Sequence, residues 1–323
     1  MSAPHPHLDT IARVARAAGL APADPLTQPL AEARANAHAY QMLWNQPLPE
    51  IGGTEEVELP SPHGGTARLR IHYPDQRRDD LGVLLYFHGG GFVLNSIDTH
   101  ERLMRLLASR SGAAVVGLGY TLAPELRFPG QLDEALAAIA WVRRSGRERG
   151  LDPARMAVGG DSAGANLALA AMLALRDQGV PLPSLGLLFY GMFSADLATA
   201  SHRAFGGGRF GLTTARVDWF WSQYVADRAQ RDNPLAAPLL ADLSGLPPQF
   251  VIGAGLDCLL DDSLALADKL SRAGVANTLS VYPGVPHSFM QMSAHLPPAS
   301  TAIGEAATAL RRALTPSLPL AAE

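Results

Sequence analysis

A serine flanked by glycines stands where a short apolar run ends. The run Met156–Gly159 leads into Gly160–Gly164, which reads Gly-Asp-Ser-Ala-Gly, and a helical pattern rich in alanine and leucine begins at once. This spacing is typical of a nucleophile elbow, a sharp turn that joins a strand to a helix. The turn requires a positive φ at Ser162 and leaves no room for a side chain at either glycine. The amides at the helix start would face negative charge that develops during acyl transfer.

A serine nucleophile needs a base, an acid that orients the base, and donors for the oxyanion. The five residues alone favour a nucleophile over their alternative, an ordinary glycine-rich loop, but the partners decide the question. Among the histidines that follow Ser162 in the chain, the candidates considered are His202 and His287. We favour His287, because a loop after the last predicted strand can reach back over the sheet edge.

The best candidate for the acid is Asp257, which directly follows the predicted strand Gln249–Gly255. Its alternative role is that of a turn aspartate. Asp261 and Asp262 come later, at a predicted helix start, where capping explains them. Since the triad of α/β-hydrolases runs in the order serine, acid, histidine, the position before His287 favours Asp257.

The turn His88–Gly91, which reads His-Gly-Gly-Gly, is the candidate for the oxyanion hole. We predict amide donors at Gly89 and Gly90, together with Ala163 after the nucleophile. Glycine allows the backbone to approach a substrate carbonyl closely. A phosphate-binding loop is the alternative, but no Lys-Ser/Thr pair follows the glycines. We expect His88 to make a structural hydrogen bond and not to act as the base.

The elements around these residues alternate between strands and helices. Glu55–Leu59 and Thr66–Tyr73 alternate apolar and polar residues and predict an antiparallel hairpin. Later strands are predicted at Val83–Phe87, Ala113–Gly119, Met156–Gly159, Leu185–Tyr190, Gln249–Gly255 and Leu279–Tyr282. Helices are predicted at Thr99–Ser111, after Pro129, from Ala163, at Asp261–Arg272 and at Thr301–Leu314. The alternation predicts an α/β fold with a mostly parallel sheet covered by helices on both faces.

One stretch breaks this alternation. Residues 194–238 separate two predicted buried strands, which is too long for an ordinary connection. We interpret them as an insertion over the carboxyl edge of the sheet, with a helix at Thr214–Ala226. Residues 1–50 predict two more helices, Leu8–Ala18 and Leu30–Leu43. No linker separates them from the rest, so we expect a single domain over residues 1–323.

The composition of the 323 residues limits the function further. Hydrophobic residues make up 47%, and the net charge of −4 comes with no basic block, which argues against nucleic-acid binding. The single cysteine, Cys258, excludes an internal disulfide and a multi-cysteine metal site. Met1–Leu20 lacks the pattern of a signal peptide. Uncharged stretches such as Gln178–Ala195 are too broken to cross a membrane, so we expect a cytoplasmic protein.

Several blocks together resemble the hormone-sensitive lipase family of α/β-hydrolases, in particular its bacterial esterases and acetyl-esterase-like members. The blocks are His88–Phe92, Tyr120–Glu125 with Phe128–Pro129, Gly160–Gly164 with Asn166, Asp257 with Leu259 and Asp261, and His287–Phe289. The likeness covers about residues 55–315. It implies an α/β-hydrolase core with a helical cap built from about residues 1–50 and 194–238.

The resemblance implies a serine carboxylesterase with the triad Ser162, Asp257 and His287 and no metal or cofactor. Its substrates would be small esters with short acyl chains, from acetyl to hexanoyl. It also implies supporting roles for Glu125 and Asp161, for which surface or capping carboxylates are the alternative. The family allows a homodimer through the last strand and helix.

Three positions depart from the family pattern. Cys258 stands where proline often follows the aspartate, Ser288 where glycine often follows the histidine, and Ala165 where a third glycine is common. None of them carries a reacting group. Two alternative functions use the same residues. One is a deacetylase or lactone hydrolase with the same triad, and the other is a binding protein with a disabled triad.

Aromatic residues gather in and before the insertion and could line an acyl or alcohol pocket. Core packing of the insertion is the alternative for each of them. They are Phe189, Tyr190, Phe193, Phe205, Phe210, Trp219, Phe220, Trp221 and Tyr224.

Overall fold

The computed structural model describes residues 3–22, 24–74 and 79–315. The strands in these ranges are β1 (Gly53–Pro60), β2 (Thr66–Tyr73), β3 (Leu81–Phe87), β4 (Ala114–Gly119), β5 (Leu151–Asp161), β6 (Gly186–Phe189), β7 (Gln249–Leu256) and β8 (Asn277–Pro286). The helices are α1 (Leu8–Ala17), α2 (Leu30–Asn45), α3 (Glu101–Ser111), α4 (Gly130–Ser145), α5 (Ala163–Asp177), α6 (Ala200–Phe205), α7 (Thr214–Tyr224), α8 (Leu260–Arg272) and α9 (Pro297–Leu314). The predicted domain of residues 1–323 therefore includes ends and short gaps that lie outside the described residues.

The eight described strands form one sheet in the order β1-β2-β4-β3-β5-β6-β7-β8. β1 and β2 form the predicted antiparallel hairpin, and β2 also runs antiparallel to β4. From β4 across to β8 all neighbours are parallel. The predicted α/β class and mostly parallel sheet are confirmed.

Strand β3 shows why the sheet is covered on both faces. All seven of its residues are buried, as expected of a strand between two helical layers. Because side chains alternate along a strand, Val83, Leu85 and Phe87 join the core beneath α4, α5 and α8. Leu84 and Tyr86 join the second core, beneath α1, α3 and α9.

Several element boundaries differ from the sequence prediction, among them those of β8 and α9. β8 runs over ten residues, Asn277–Pro286, and pairs with β7 up to the contact between Leu256 and Pro286. Its outer face is solvent-exposed at the sheet edge, so polar residues interrupt the apolar pattern that would have marked a strand. α9 begins at Pro297, because proline is compatible with the first helical turn.

The insertion contains the two helices α6 and α7, each with a threonine cap. The Thr199 hydroxyl accepts a hydrogen bond from the His202 amide, and the Thr213 hydroxyl accepts one from the Arg216 amide. Within the described ranges, no helix has the length and hydropathy that a membrane crossing requires.

Candidate active site

Ser162 lies on the turn between β5 and α5 with φ 55° and ψ −119°. The positive φ predicted for an elbow is confirmed. A Cβ at Gly160 would meet the Phe87 carbonyl, and one at Gly164 would meet the carbonyls of Phe87 and His88. The backbone can therefore make this turn only with glycine on both sides of the serine.

Ser162, His287 and Asp257 form a continuous hydrogen-bonded chain. The distance from His287 Nε2 to Ser162 Oγ is 2.9 Å, and that from His287 Nδ1 to Asp257 Oδ2 is 2.6 Å. The Leu259 amide donates to the other oxygen of Asp257 at 3.0 Å. This arrangement keeps Nδ1 protonated and leaves Nε2 able to accept the serine proton.

The carboxyl edge of the sheet brings these residues together. Asp257 directly follows β7 and His287 directly follows β8, next to the elbow at the end of β5. Parallel strands end at the same edge, so residues more than a hundred positions apart in the chain meet there. Ser288 has a φ of 59°, a value that favours glycine and that this chain imposes on a serine.

The other candidate acids and base have different partners. The His202 ring bonds the Thr214 hydroxyl at 2.8 Å and not a residue of the triad. Asp261 accepts from the Ser201 amide at 2.8 Å. Asp262 accepts from the amides of Phe193 and Ser194 at 2.8 and 2.9 Å. Asp261 and Asp262 thus anchor the start of the insertion to α8 and are not simple helix caps.

The prediction that Gly89 supplies an oxyanion donor is wrong. Its amide donates to Asp161 Oδ1 at 2.9 Å and so is not directed at a substrate. Gly90 and Gly91 instead border the same cavity as Ser162. In the described part of the chain neither of these two amides has a hydrogen-bond acceptor. Sequence reasoning missed Gly91, because three consecutive glycines carry no signal for which amide turns toward the serine.

Asp161 is the buried residue that holds this loop. Its carboxylate accepts from the Tyr86 hydroxyl at 2.8 Å and from the Gly89 amide, and it contacts His100 Nε2 at 3.2 Å. Burial alone raises the pKa of Asp161, but His100 and the other donors outweigh burial and lower it. The carboxylate is therefore ionised at neutral pH and fixes the glycine loop beside the elbow.

Glu125 has a different environment, at the contact between α2 and the core. Its side chain is 54% exposed and forms a bidentate pair with Arg34, with both distances 2.7 Å. The hydrogen bond from Arg34 lowers the pKa of Glu125. Glu125 thus acts on the position of α2 and does not touch the triad.

His88 has the structural role that the sequence predicted. Its ring stacks on Tyr120 with centroids 4.3 Å apart, and the Tyr120 hydroxyl donates to the His88 carbonyl at 2.9 Å. Burial, together with the nearby His100, lowers the pKa of His88 to about 3. A ring that stays neutral and enclosed does not serve as the general base.

A cavity of about 510 Å³ opens onto Ser162 and His287. Part of its lining comes from α1, α2 and the segment that joins them, and another part comes from residues 209–220 of the insertion. Of the nine aromatic residues noted in the sequence, Phe210 and Phe220 line this cavity. Trp221 and Tyr224 pack in the core beside it. In the described ranges, no three His, Cys, Asp or Glu side chains are gathered as a metal site would require.

Comparison with known proteins places this chain among hydrolases. Residues 84–291 match a family model described as an alpha/beta hydrolase fold. An alpha/beta hydrolase from the metagenome of Lake Arreo, Spain, solved as a serine-to-alanine mutant, is 34% identical with a TM-score of 0.89, over 96% of this chain and 98% of that chain.

Two further solved structures are similar. A thermophilic carboxylesterase cloned from a metagenomic library is 34% identical with a TM-score of 0.87, over 90% of this chain and 99% of that chain. A hyperthermophilic esterase from the archaeon Pyrobaculum calidifontis is 31% identical with a TM-score of 0.89, over 96% and 98%.

Proposed function

This chain belongs to the alpha/beta hydrolase family, and we propose that it is a serine carboxylesterase that hydrolyses short-chain acyl esters. The observation that carries the proposal is the hydrogen-bonded chain Ser162–His287–Asp257 at the wall of the cavity. The names of the similar solved structures, a carboxylesterase and an esterase among them, support the same reaction.

In the first half of the reaction, His287 Nε2 takes the proton of the Ser162 hydroxyl as its oxygen attacks the ester carbonyl. Asp257 holds the imidazole in the required tautomer and stabilises the imidazolium. We assign the oxyanion to the amides of Gly90, Gly91 and Ala163, in place of the Gly89 amide. Ala163 opens α5, so its amide has no acceptor within the helix.

In the second half, the tetrahedral intermediate collapses and the bond to the alcohol oxygen breaks. His287 gives its proton to the leaving alcohol, and the acyl group stays on Ser162. A water molecule, deprotonated by His287, then attacks the acyl-enzyme and releases the carboxylic acid. The net reaction consumes one ester and one water and yields one acid and one alcohol.

The decisive test compares the wild type with Ser162→Ala on p-nitrophenyl acetate and butyrate. Removing a triad serine lowers kcat by roughly 10⁴-fold or more. Equal activity in both proteins would refute the assignment of Ser162, whereas no activity in the wild type would favour a binding protein. Circular dichroism of both proteins controls for folding.

We propose that residues 1–50 and 194–238 act as a cap over one domain and restrict the acyl chain. The support is the cavity, whose lining comes in part from these segments. A series of p-nitrophenyl esters from acetate to palmitate measures the limit. We expect acetate to hexanoate to be turned over faster than palmitate, and faster turnover of palmitate than of butyrate would contradict this.

We propose a homodimer formed through β8 and α9. β8 is an edge strand, and its Val281 side chain is 39% exposed. Light scattering should give twice the monomer mass of 34.1 kDa, and Val281→Lys should shift the mass to that of the monomer.

A cytoplasmic location is also our proposal, supported by the single buried cysteine and tested by cell fractionation.

A further inference from the structure

The charged residues that line the active-site cavity are all cationic. Arg16, Arg209 and Arg216 border it together with Ser162 and His287, and no Asp or Glu does so in the described part of the chain. The protein as a whole carries a net charge of −4, so this local excess of positive charge runs against the overall balance. A cavity lined by one sign of charge attracts ligands of the opposite sign.

Arg216 is the cationic residue with the least compensation. It lies in the first turn of α7, and its Nε is buried without an acceptor. Among the described residues, its guanidinium makes no salt bridge and no side-chain hydrogen bond. By contrast, Arg231, which follows α7, pairs with Asp218 at 2.6 Å. A buried donor without an acceptor is costly, so this position calls for an anion from outside the chain.

Asp24, the acid whose charge acts on Arg216, does not fill this need. Asp24 raises the pKa of Arg216 by its charge but forms no salt bridge with it, and burial lowers that pKa more strongly. The oxygens of Asp24 accept instead from the Leu26 amide and the Thr27 hydroxyl, both at 3.2 Å.

The other two arginines are exposed and add to the positive potential near the cavity. The guanidinium of Arg209 lies over the Phe210 ring, 5.2 Å from its centroid. Neither Arg16 nor Arg209 forms a salt bridge with a described residue.

We propose that Arg216 binds a carboxylate on the substrate, so that the preferred ester carries a negative charge. The class comprises half-esters of dicarboxylic acids and acyl esters of hydroxy acids or phenolic acids. A guanidinium can hold a carboxylate through two parallel hydrogen bonds, which orients the ester relative to Ser162 as well as retaining it. This inference rests on the esterase function proposed above.

Two matched pairs of substrates test the charge preference. The first is 4-acetoxybenzoate against methyl 4-acetoxybenzoate, with the carboxylate in the alcohol part. The second is monomethyl adipate against dimethyl adipate, with the carboxylate in the acyl part. For each pair the readout is the ratio of kcat/KM for the charged ester to that for the neutral ester, in which the folded fraction of a variant cancels.

In Arg216→Gln we expect this ratio to fall about ten- to a hundredfold in at least one pair, as loss of a charge-assisted hydrogen bond implies. Arg216→Lys should lose less, because it keeps the charge without the planar fork. Arg144→Gln removes an equal charge from an exposed site on α4, outside the cavity, and should leave both ratios unchanged. Unchanged ratios in Arg216→Gln for both pairs would overturn the proposal.

A binding experiment separates this inference from the esterase function. Calorimetry with Ser162→Ala should detect 4-hydroxybenzoate but not 4-hydroxybenzamide, and binding should be lost in Ser162→Ala/Arg216→Gln. If the wild type hydrolyses no ester but this pattern holds, the esterase function fails and the carboxylate site stands. If esters are hydrolysed but both variants bind 4-hydroxybenzoate equally, the carboxylate site fails and the esterase function stands.

Discussion

Asp161 and Ser162 are adjacent in the chain and have opposite environments. The Ser162 hydroxyl lies at the wall of the cavity, whereas the Asp161 carboxylate is enclosed by Tyr86, Gly89 and His100. Because the backbone reverses at Ser162, one side chain faces the ligand and the other holds the loop that the ligand contacts. The position of the glycine loop therefore depends on the residue next to the nucleophile.

At Asp257 we expect that replacement by asparagine lowers kcat by about 10³- to 10⁴-fold, since the amide no longer fixes the tautomer of His287. Steady-state hydrolysis of p-nitrophenyl butyrate measures the loss. Asp261→Asn is the matched control, because Asp261 bonds the Ser201 amide and not the triad, and it should stay within a few-fold of the wild type. Similar losses in both variants would contradict the triad role of Asp257.

Gly91 offers a test of the reassigned oxyanion donor. Its φ is 63°, and a Cβ there would meet the Phe220 ring, so Gly91→Ala must shift the loop. Loss of one oxyanion donor lowers kcat by about 10²- to 10³-fold, and we expect an effect of that order. Gly207→Ala is the control, because a Cβ at Gly207 meets nothing within 4 Å. Full kcat in Gly91→Ala would remove this amide from the site.

At the scale of elements, Arg34 connects α2 to the loops beside the active site. Its Nε donates to the Val93 carbonyl at 2.9 Å, and its Nη2 donates to the Ala123 carbonyl at 2.8 Å, besides the pair with Glu125. Tyr40, one to two turns further along α2, lines the cavity. The position of this helix therefore affects the shape of the substrate site.

We expect Arg34→Met to lower the free energy of unfolding by about 1–3 kcal/mol, because two carbonyls and one carboxylate lose their donor. It should also raise KM more than it lowers kcat. Glu125→Gln keeps the contacts of Arg34 with both carbonyls. It removes only the half-exposed ion pair between Arg34 and Glu125, which is worth at most about 1 kcal/mol. Chemical denaturation and ester kinetics measure both effects, and equal changes in the two variants would contradict the role of the carbonyl contacts.

For the whole molecule, two buried titratable groups affect the pH dependence of stability in opposite directions. Burial, with the charges of Asp257 and Asp261, raises the pKa of Asp262 to about 8, although the amides of Phe193 and Ser194 oppose the rise. The folded state then holds a proton that the unfolded chain releases above about pH 4, so stability falls as the pH rises toward 8. The lowered pKa of His88 acts at acid pH, where the unfolded chain binds a proton that the folded state does not bind. Stability therefore falls as the pH decreases in that range.

We therefore expect the unfolding midpoint of the wild type, relative to Asp262→Asn, to decrease as the pH rises from 5 to 9. Asparagine retains an oxygen acceptor for the two amides and cannot ionise. Thermal unfolding of both proteins across this range, by circular dichroism, measures the difference. A difference that stays constant with pH would show that Asp262 titrates alike in the folded and unfolded chains.

The sequence by itself determined the elbow, the strand order along the chain and the choice of Asp257 and His287. These follow from local rules, since a buried parallel strand reads as a continuous apolar run and its end delivers a side chain to one sheet edge. The sequence predicts too short a strand for β8, because the exposed face of this edge strand carries polar residues that break the apolar run.

Only the tertiary structure decided which amides face the cavity. The Gly89 amide donates a hydrogen bond to Asp161, which is 72 positions away in the chain. The amides of Gly90 and Gly91 therefore remain to bind the substrate oxyanion. In the sequence Arg216 is one polar residue among others in a predicted helix. Only the fold shows that it lines the cavity with its Nε buried and without an acceptor. Both outcomes depend on which groups packing brings within hydrogen-bond reach, and no local pattern of residues records that distance.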